Sequence, residues 1–421
     1  MISKGPPLSI LGPSILVGLA MLLPIAYLAI RSMEASPEVW DLVFRIKTLQ
    51  TFVRTAILVF TVTIASVAIA VPIAWLTTRT DLPLRRMWTV VSVLPIVIPS
   101  FIGAFLFVSA LGPKGILQNM ISFLGVDRLP EIYGLPGATL TLALISYPYV
   151  LLTVRGAIQN LDPSLEESSR SLGMSAWNTA IRVSLPHLRP SIVSGSLLVA
   201  LYTLSDFGAV SLMRYPTFTW VIFQQYQSAF DRSIVAVFSL LLVGMAFGIL
   251  VVDSYGRGRI RYYRLSAGVS RPLKIVRLGH WKWAAVLFLL GVVGFALLVP
   301  AAVLSYWLVR GIIVGEPLMI LWYEMGNSLV VSAMAAVTAA IFSVPFAVFV
   351  VRYPSKFTFF LERVGFTGYA LPGVVVALSL VFFSANYASF MYQTIWLLVF
   401  AYVVLVFPSA FSATRASFLQ V

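Results

Sequence analysis

The residues able to do chemistry in this 421-residue chain are few, and they gather in one polar segment running from Asp162 to Pro190. Glu166, Glu167, Ser168 and Ser169 stand side by side there, with Gly173 shortly after. Asp162 suits an N-cap and Pro163 the first helical position. Glu166 and Glu167 then fall in or near the first turn, where the helix dipole favours negative charge. Leu165, Ser168, Ser169 and Leu172 share one helical face. Gly173 is placed to end the helix in a left-handed conformation. Ser175 can cap a second short helix in which Trp177, Ala180 and Ile181 share a face, and Pro186 sits near its end. The segment reads as helix, glycine turn, helix. Helices this short are marginal alone, so their apolar faces call for a partner surface. The chemistry implied is docking. Cysteine is absent, and His187 and His280 are the only histidines. These counts argue against a metal centre, a thiol nucleophile or a catalytic constellation. No catalytic residue, metal ligand or cofactor is expected, and no phosphate-binding G-x4-G-K-[ST] loop is found.

The elements that must position this segment are set by composition. Apolar residues make up 60% of the chain and charged residues 10%, whereas soluble domains carry roughly 25% charged residues. A membrane-spanning helix needs about 20 mostly apolar residues. Ten candidates run near 8–30, 55–77, 87–111, 138–157, 191–212, 233–252, 283–309, 327–350, 366–384 and 393–414. The apolar run after Lys4 is too long for a signal-peptide h-region and reads as a retained anchor. The fold class expected is all-α: a polytopic membrane protein. The net charge of +14 then reports topology, not nucleic-acid binding.

Arginine and lysine concentrate in alternate loops: Arg79, Arg85 and Arg86; Arg170, Arg182 and Arg189; Arg257 to Arg277; and Arg352, Lys356 and Arg363. The loop between the first two spans fits least well, since Arg31, Arg45, Lys47 and Arg54 outnumber its acids. The balance predicts a cytoplasmic N-terminus.

The two halves resemble each other. Val71-Pro72-Ile73-Ala74 matches Val344-Pro345-Phe346-Ala347, and Arg79 and Arg352 follow at equal distance. Leu94-Pro95 is matched to Leu371-Pro372, and Tyr147-Pro148 with Arg155 to Phe407-Pro408 with Arg415. An even offset in spans makes the repeats parallel, unlike the inverted repeats of several secondary transporters. The expected organisation is a first six-span repeat at 1–253 with its docking loop at 159–190, a basic cytoplasmic linker at 254–282, and a second repeat at 283–421. In this alignment Val421 falls opposite Leu161, so the second repeat is expected to be incomplete. It would lack a loop and two spans, leaving one docking seat instead of two, and the 421-residue form would be inactive.

Glu167-Ser168-Ser169, three residues, Gly173, nine residues, then Val183-Ser184-Leu185-Pro186 resembles the E-A-A-x3-G-x9-I-x-L-P loop of binding-protein-dependent ABC importer permeases. Serines replace both alanines and valine replaces isoleucine. The resemblance implies that Asp162, Pro163, Glu166, Glu167, Ser168, Ser169, Gly173, Val183, Leu185 and Pro186 form the seat of a cytoplasmic ATPase, bound in two copies. It also implies an extracytoplasmic solute-binding protein that delivers substrate. The chain itself would not be an enzyme. Ser205 to Leu212 and Tyr226 to Arg232 resemble stretches of the two-domain ferric iron and thiamine group, which implies iron(III), with thiamine, phosphonate or polyamine as alternatives.

Asp206 lies in or near the fifth span. A carboxylate at membrane depth is costly and usually faces a cavity or a partner, so a pathway or gate role for a cation is one reading. An interfacial acid, or one paired with Arg214, is the other. The basic stretch Arg257 to Lys282 is a solvated linker or a site for anionic lipid. An ion-coupled secondary transporter would need more ionisable groups inside its spans than Asp206 supplies.

Overall fold

The computed structural model describes residues 6–125, 129–161, 163–228, 233–256, 275–317, 319 and 321–418. Helices dominate, and one isolated parallel bridge, Thr80 to Val276, is seen among the described residues. Nine of these helices are long and apolar enough to cross a membrane, or up to ten if one bent pair counts as a span.

Proline sets where the spans bend or break. Pro72, Pro148, Pro345 and Pro408 each lie inside a long helix, so the repeat conserves their helical setting. Two expected spans are interrupted. The third, read as 87–111, divides into Arg85–Val91, a 3-10 turn at Leu94–Val97 and Ser100–Leu111. The ninth, read as 366–384, is the bent pair: Lys356–Tyr369 and Gly373–Tyr387 meet at 106°. The residues that restart these helices are Pro99 (φ −58°, ψ 138°) and Pro372 (φ −60°, ψ 138°). Pro372 therefore corresponds to Pro99, one turn beyond the Pro95 chosen from the dipeptide match. A proline there cannot donate an amide and excludes the helical conformation from its predecessor, so both breaks are encoded locally.

The helix after the glycine turn does not stop near Pro186. Ala176–Thr179 continues through a π turn at Ala180–Ser184 into Leu185–Ser205. A second π turn, Gly294–Leu298, joins Trp281–Val293 to Val299–Val314. Each π turn ends two residues before a proline, Pro186 and Pro300. The proline ring would strike the carbonyl four residues back, and a widened turn relieves that contact.

Two compact units form: Met1–Leu49 with Val221–Phe247 and Leu318–Val421, and Gln50–Trp220 with Gly248–Pro317. These packing units are drawn differently from the sequence repeats. In the first unit, the opening helix Leu8–Met33 packs among helices of the C-terminal half. Ser14 Oγ reaches Pro345 O at 3.3 Å, and Tyr27 meets the rings of Phe383 and Tyr387 edge-on. In the second unit, the helix ending at Val314 packs on Ser100–Leu111, with Trp307 Nε1 donating to Ser109 Oγ at 2.9 Å. Leu8–Met33 and the helix ending at Val314 thus each pack with helices distant in sequence.

Candidate functional site

The polar segment folds as one piece with the ends of its neighbouring spans, all within the second unit. The first short helix is Pro163–Ser171; Asp162, read as its N-cap, lies outside the described residues. Gly173 takes φ +85°. Met174 N–H donates to Ser169 O at 3.2 Å and Gly173 N–H to Arg170 O at 3.0 Å, the paired bonds of a Schellman ending. Ser175 caps the next helix as expected, its Oγ accepting from Asn178 N–H at 3.2 Å.

The faces sort differently from the simple helical reading. Glu166 and Ser169 turn inward. Ser168 is exposed, and Leu172 is 85% exposed. Ser169 Oγ lies 3.0 Å from Thr179 Oγ1, a staple across the glycine turn, and also contacts Met174 Sδ. Glu166 is held on two sides. Its Oε2 pairs with the Arg79 guanidinium at the end of the second-span helix Ile46–Arg79, and its Oε1 accepts from Ser184 Oγ at 2.7 Å. The Arg79 side chain is 3% exposed and that of Glu166 15%. A buried guanidinium needs such a partner. Arg79 also lies over the Trp75 ring, 5.4 Å from its centroid.

Sequence reading missed Arg79, Thr179 and Ser184. The recurrence of arginine at Arg79 and Arg352 was the available signal for the first. Ser184 occupies an unspecified position of the motif. Glu167 lines, with Arg79, Glu166, Arg170, Ser184 and Arg277, a cavity of about 800 Å³ behind the segment. Val183 offers its carbonyl to His187 Nδ1 at 2.6 Å; Ile181 and Leu185 are exposed. Pro186 follows the π turn at the head of Leu185–Ser205.

A second attachment lies beside Arg79. Val276 N–H donates to Arg79 O at 2.7 Å, and Asp81 N–H donates to Val276 O at 3.2 Å. The Asp81 carboxylate accepts from Leu278 N–H at 2.8 Å and pairs with Lys282 Nζ at 2.8 Å. The Lys282 ammonium, followed by the Leu278 N–H, holds the Asp81 carboxyl below the usual carboxylate range. The basic stretch Arg257 to Lys274 lies outside the described residues.

Asp206 is 7% exposed and sits between two helices. Its N–H donates to Thr203 O at 3.3 Å, ending Leu185–Ser205. Its Oδ1 accepts from Ala209 and Val210 N–H at 2.9 and 3.3 Å, capping Gly208–Leu212, while its carbonyl accepts from Thr219 Oγ1 at 2.7 Å. Arg214, the partner considered from sequence, lies over the Tyr133 ring at 4.7 Å. Gly208 permits a close approach: a Cβ there would stand 2.9 Å from Phe101 Cβ. Of the second stretch compared with iron-type permeases, 229–232 lie outside the described residues.

Residues 66–257 match the family described as binding-protein-dependent transport system inner membrane component, a span that contains the whole polar segment and Asp206. Over 411 residues the chain is 32% identical to the Fe(3+)-transport system permease protein FbpB 2 of Haemophilus influenzae, covering 96% of this chain and 78% of that one. The chain belongs to the binding-protein-dependent permease family. It is a multi-pass inner-membrane transport permease. The permease is also similar to the sulfate transport system permease protein CysT of Escherichia coli, 27% identical over 202 residues, 48% of this chain and 72% of that relative. A probable molybdenum ABC transporter permease protein of Haloferax volcanii is 29% identical over 197 residues, 46% of this chain and 70% of that one. A bacterial ABC transporter that imports alginate aligns over 60% of this chain and 95% of its own at 20% identity and a TM-score of 0.47.

Proposed function

We propose that Pro163 to Pro186 is the seat of a cytoplasmic ATPase and that this permease passes ferric iron inward from an extracytoplasmic binding protein. The carrying observation is the double hold on Glu166. Through Arg79 it is fixed to the second span, and through Ser184 to the fifth. Force applied to the segment would therefore act on two spans. Leu172, Ile181 and Leu185 stand exposed on a polar segment, which is how a partner surface looks. Glu167, in the motif's glutamate position, belongs to the same seat. Seating an ATPase here places this face, and by the parity of the spans the N-terminus, in the cytoplasm. Hydrolysis would be the partner's reaction.

Iron as cargo rests on the Haemophilus relative and on the two resembling stretches. Asp206, with its oxygen committed to two amides, is read as a structural cap. The test is uptake by the full transporter reconstituted with its ATPase and binding protein. Radiolabelled ferric iron should accumulate on ATP addition, at least tenfold above sulfate, molybdate or thiamine. Accumulation of one of those instead would redirect the substrate while leaving the permease assignment in place.

A further inference from the structure

The attachment at Asp81 has no part in the docking seat, yet it lies at the same helix end, just after Arg79. Within three residues the chain makes two separate connections. The Arg79 side chain reaches forward to Glu166 on the docking helix. The Arg79 carbonyl, the Asp81 amide and both Asp81 carboxylate oxygens reach the returning segment Val276 to Lys282. That segment leads without a break into Trp281–Val314, the first span of the second repeat. Asp81 also sits where that helix begins: Trp281 N–H donates to Leu278 O at 3.1 Å, and Leu278 N–H is the one Asp81 accepts. A carboxylate at a helix N-terminus is favoured by the dipole.

Resting on the docking reading above, we infer that Asp81 is a positioning residue that couples the docking seat to the Trp281–Val314 span. Movement imposed on the docking helix would pass through Arg79 to the 79–81 segment. From there it would pass through the Val276 bridge and the Asp81 clasp to Trp281–Val314. That helix in turn holds Ser100–Leu111 through Trp307 and Ser109. One docking seat would then act on spans of both sequence repeats. A mere anchor would predict only a change in stability; a coupling element predicts a change in substrate moved per ATP.

The experiment uses the full-length transporter with its ATPase and binding protein in liposomes, with uptake and ATP hydrolysis measured together. Asp81→Ala should retain the ATPase on purification and hydrolyse ATP within about twofold of the parent, while uptake per ATP falls at least fivefold. The parent chain has no cysteine, so a Thr80→Cys, Val276→Cys pair can be introduced cleanly into the Asp81→Ala background. Its oxidation should return uptake per ATP to within about twofold of the parent, and reductant should reverse the gain. Lys282→Ala provides an independent weakening of the clasp should Asp81→Ala fold poorly, and is expected to give a smaller loss in the same direction. Unchanged uptake per ATP in Asp81→Ala and Lys282→Ala, or no rescue by the oxidised pair, would overturn the coupling role. A parent chain that retains no ATPase would instead refute the docking reading.

Discussion

Arg79 and Glu166, on different helices and far apart in sequence, meet as a buried ion pair, with the guanidinium 3% exposed. Removing one member leaves the other charge buried without its counterpart, a change that costs about 3 kcal/mol or more. Glu166→Ala and Arg79→Ala should each lower the thermal unfolding midpoint of the detergent-solubilised protein. The double variant should lose clearly less than the sum of the two. Additive losses would mean that the pair does not couple the helices.

Gly173 is a backbone requirement. Its φ of +85° is strained for residues with a Cβ, and nothing crowds the position. Gly173→Ala should weaken ATPase binding by about fivefold, the equivalent of about 1 kcal/mol of backbone strain. Gly173→Asn should weaken it less, since asparagine tolerates this region. Titration of the reconstituted permease with its ATPase gives the ordering directly.

Asp206 separates capping from cation handling. Asp206→Ala leaves the Ala209 and Val210 amides without their acceptor and should destabilise by about 2 kcal/mol. Asp206→Asn keeps an acceptor oxygen and removes the charge. Uptake by Asp206→Asn within about threefold of the parent fits a cap. A loss of a hundredfold with normal stability would make the charge itself functional.

The Asp81 clasp carries a pH dependence of defined sign. Its folded-state pKa is depressed by Lys282 and then by the Leu278 amide. The clasp therefore contributes fully above the ordinary aspartate pKa of about 3.9. Its contribution is lost as the pH falls through the lower folded-state value. Amide exchange at Leu278, compared between the parent and Asp81→Ala, should differ at neutral pH, and the difference should shrink as acid protonates the Asp81 carboxylate.

Much of this organisation is legible in the residues themselves. Hydropathy locates the helices, and the helical prolines at Pro72, Pro148, Pro345 and Pro408 mark the repeat. The segment around Gly173 is readable because capping and glycine rules act over a few residues. What sequence spacing concealed was set over distance. Pro99 lies as far beyond Pro72 as Pro372 lies beyond Pro345, a regularity the Leu-Pro dipeptide match at Pro95 passed over and the helix restarts make plain. The motif directs attention to Glu167, whereas the inward carboxylate is Glu166, because the decision depends on where Arg79 and Ser184 arrive. The packing of Leu8–Met33 with the later helices, and the Asp81–Lys282 clasp, join residues whose local patterns contain no trace of one another.

We propose that Pro163 to Pro186 seats an ATPase. The most direct measurement is retention of the co-expressed ATPase by the tagged full-length permease, comparing the parent with Glu167→Lys and Leu172→Asp. Neither residue takes part in the Glu166–Ser184 bond, and the permease should remain folded by size-exclusion profile. The parent should retain the ATPase and each variant should lose at least nine-tenths of it, with uptake falling in parallel. Full retention and normal uptake in both folded variants would contradict an ATPase seat there.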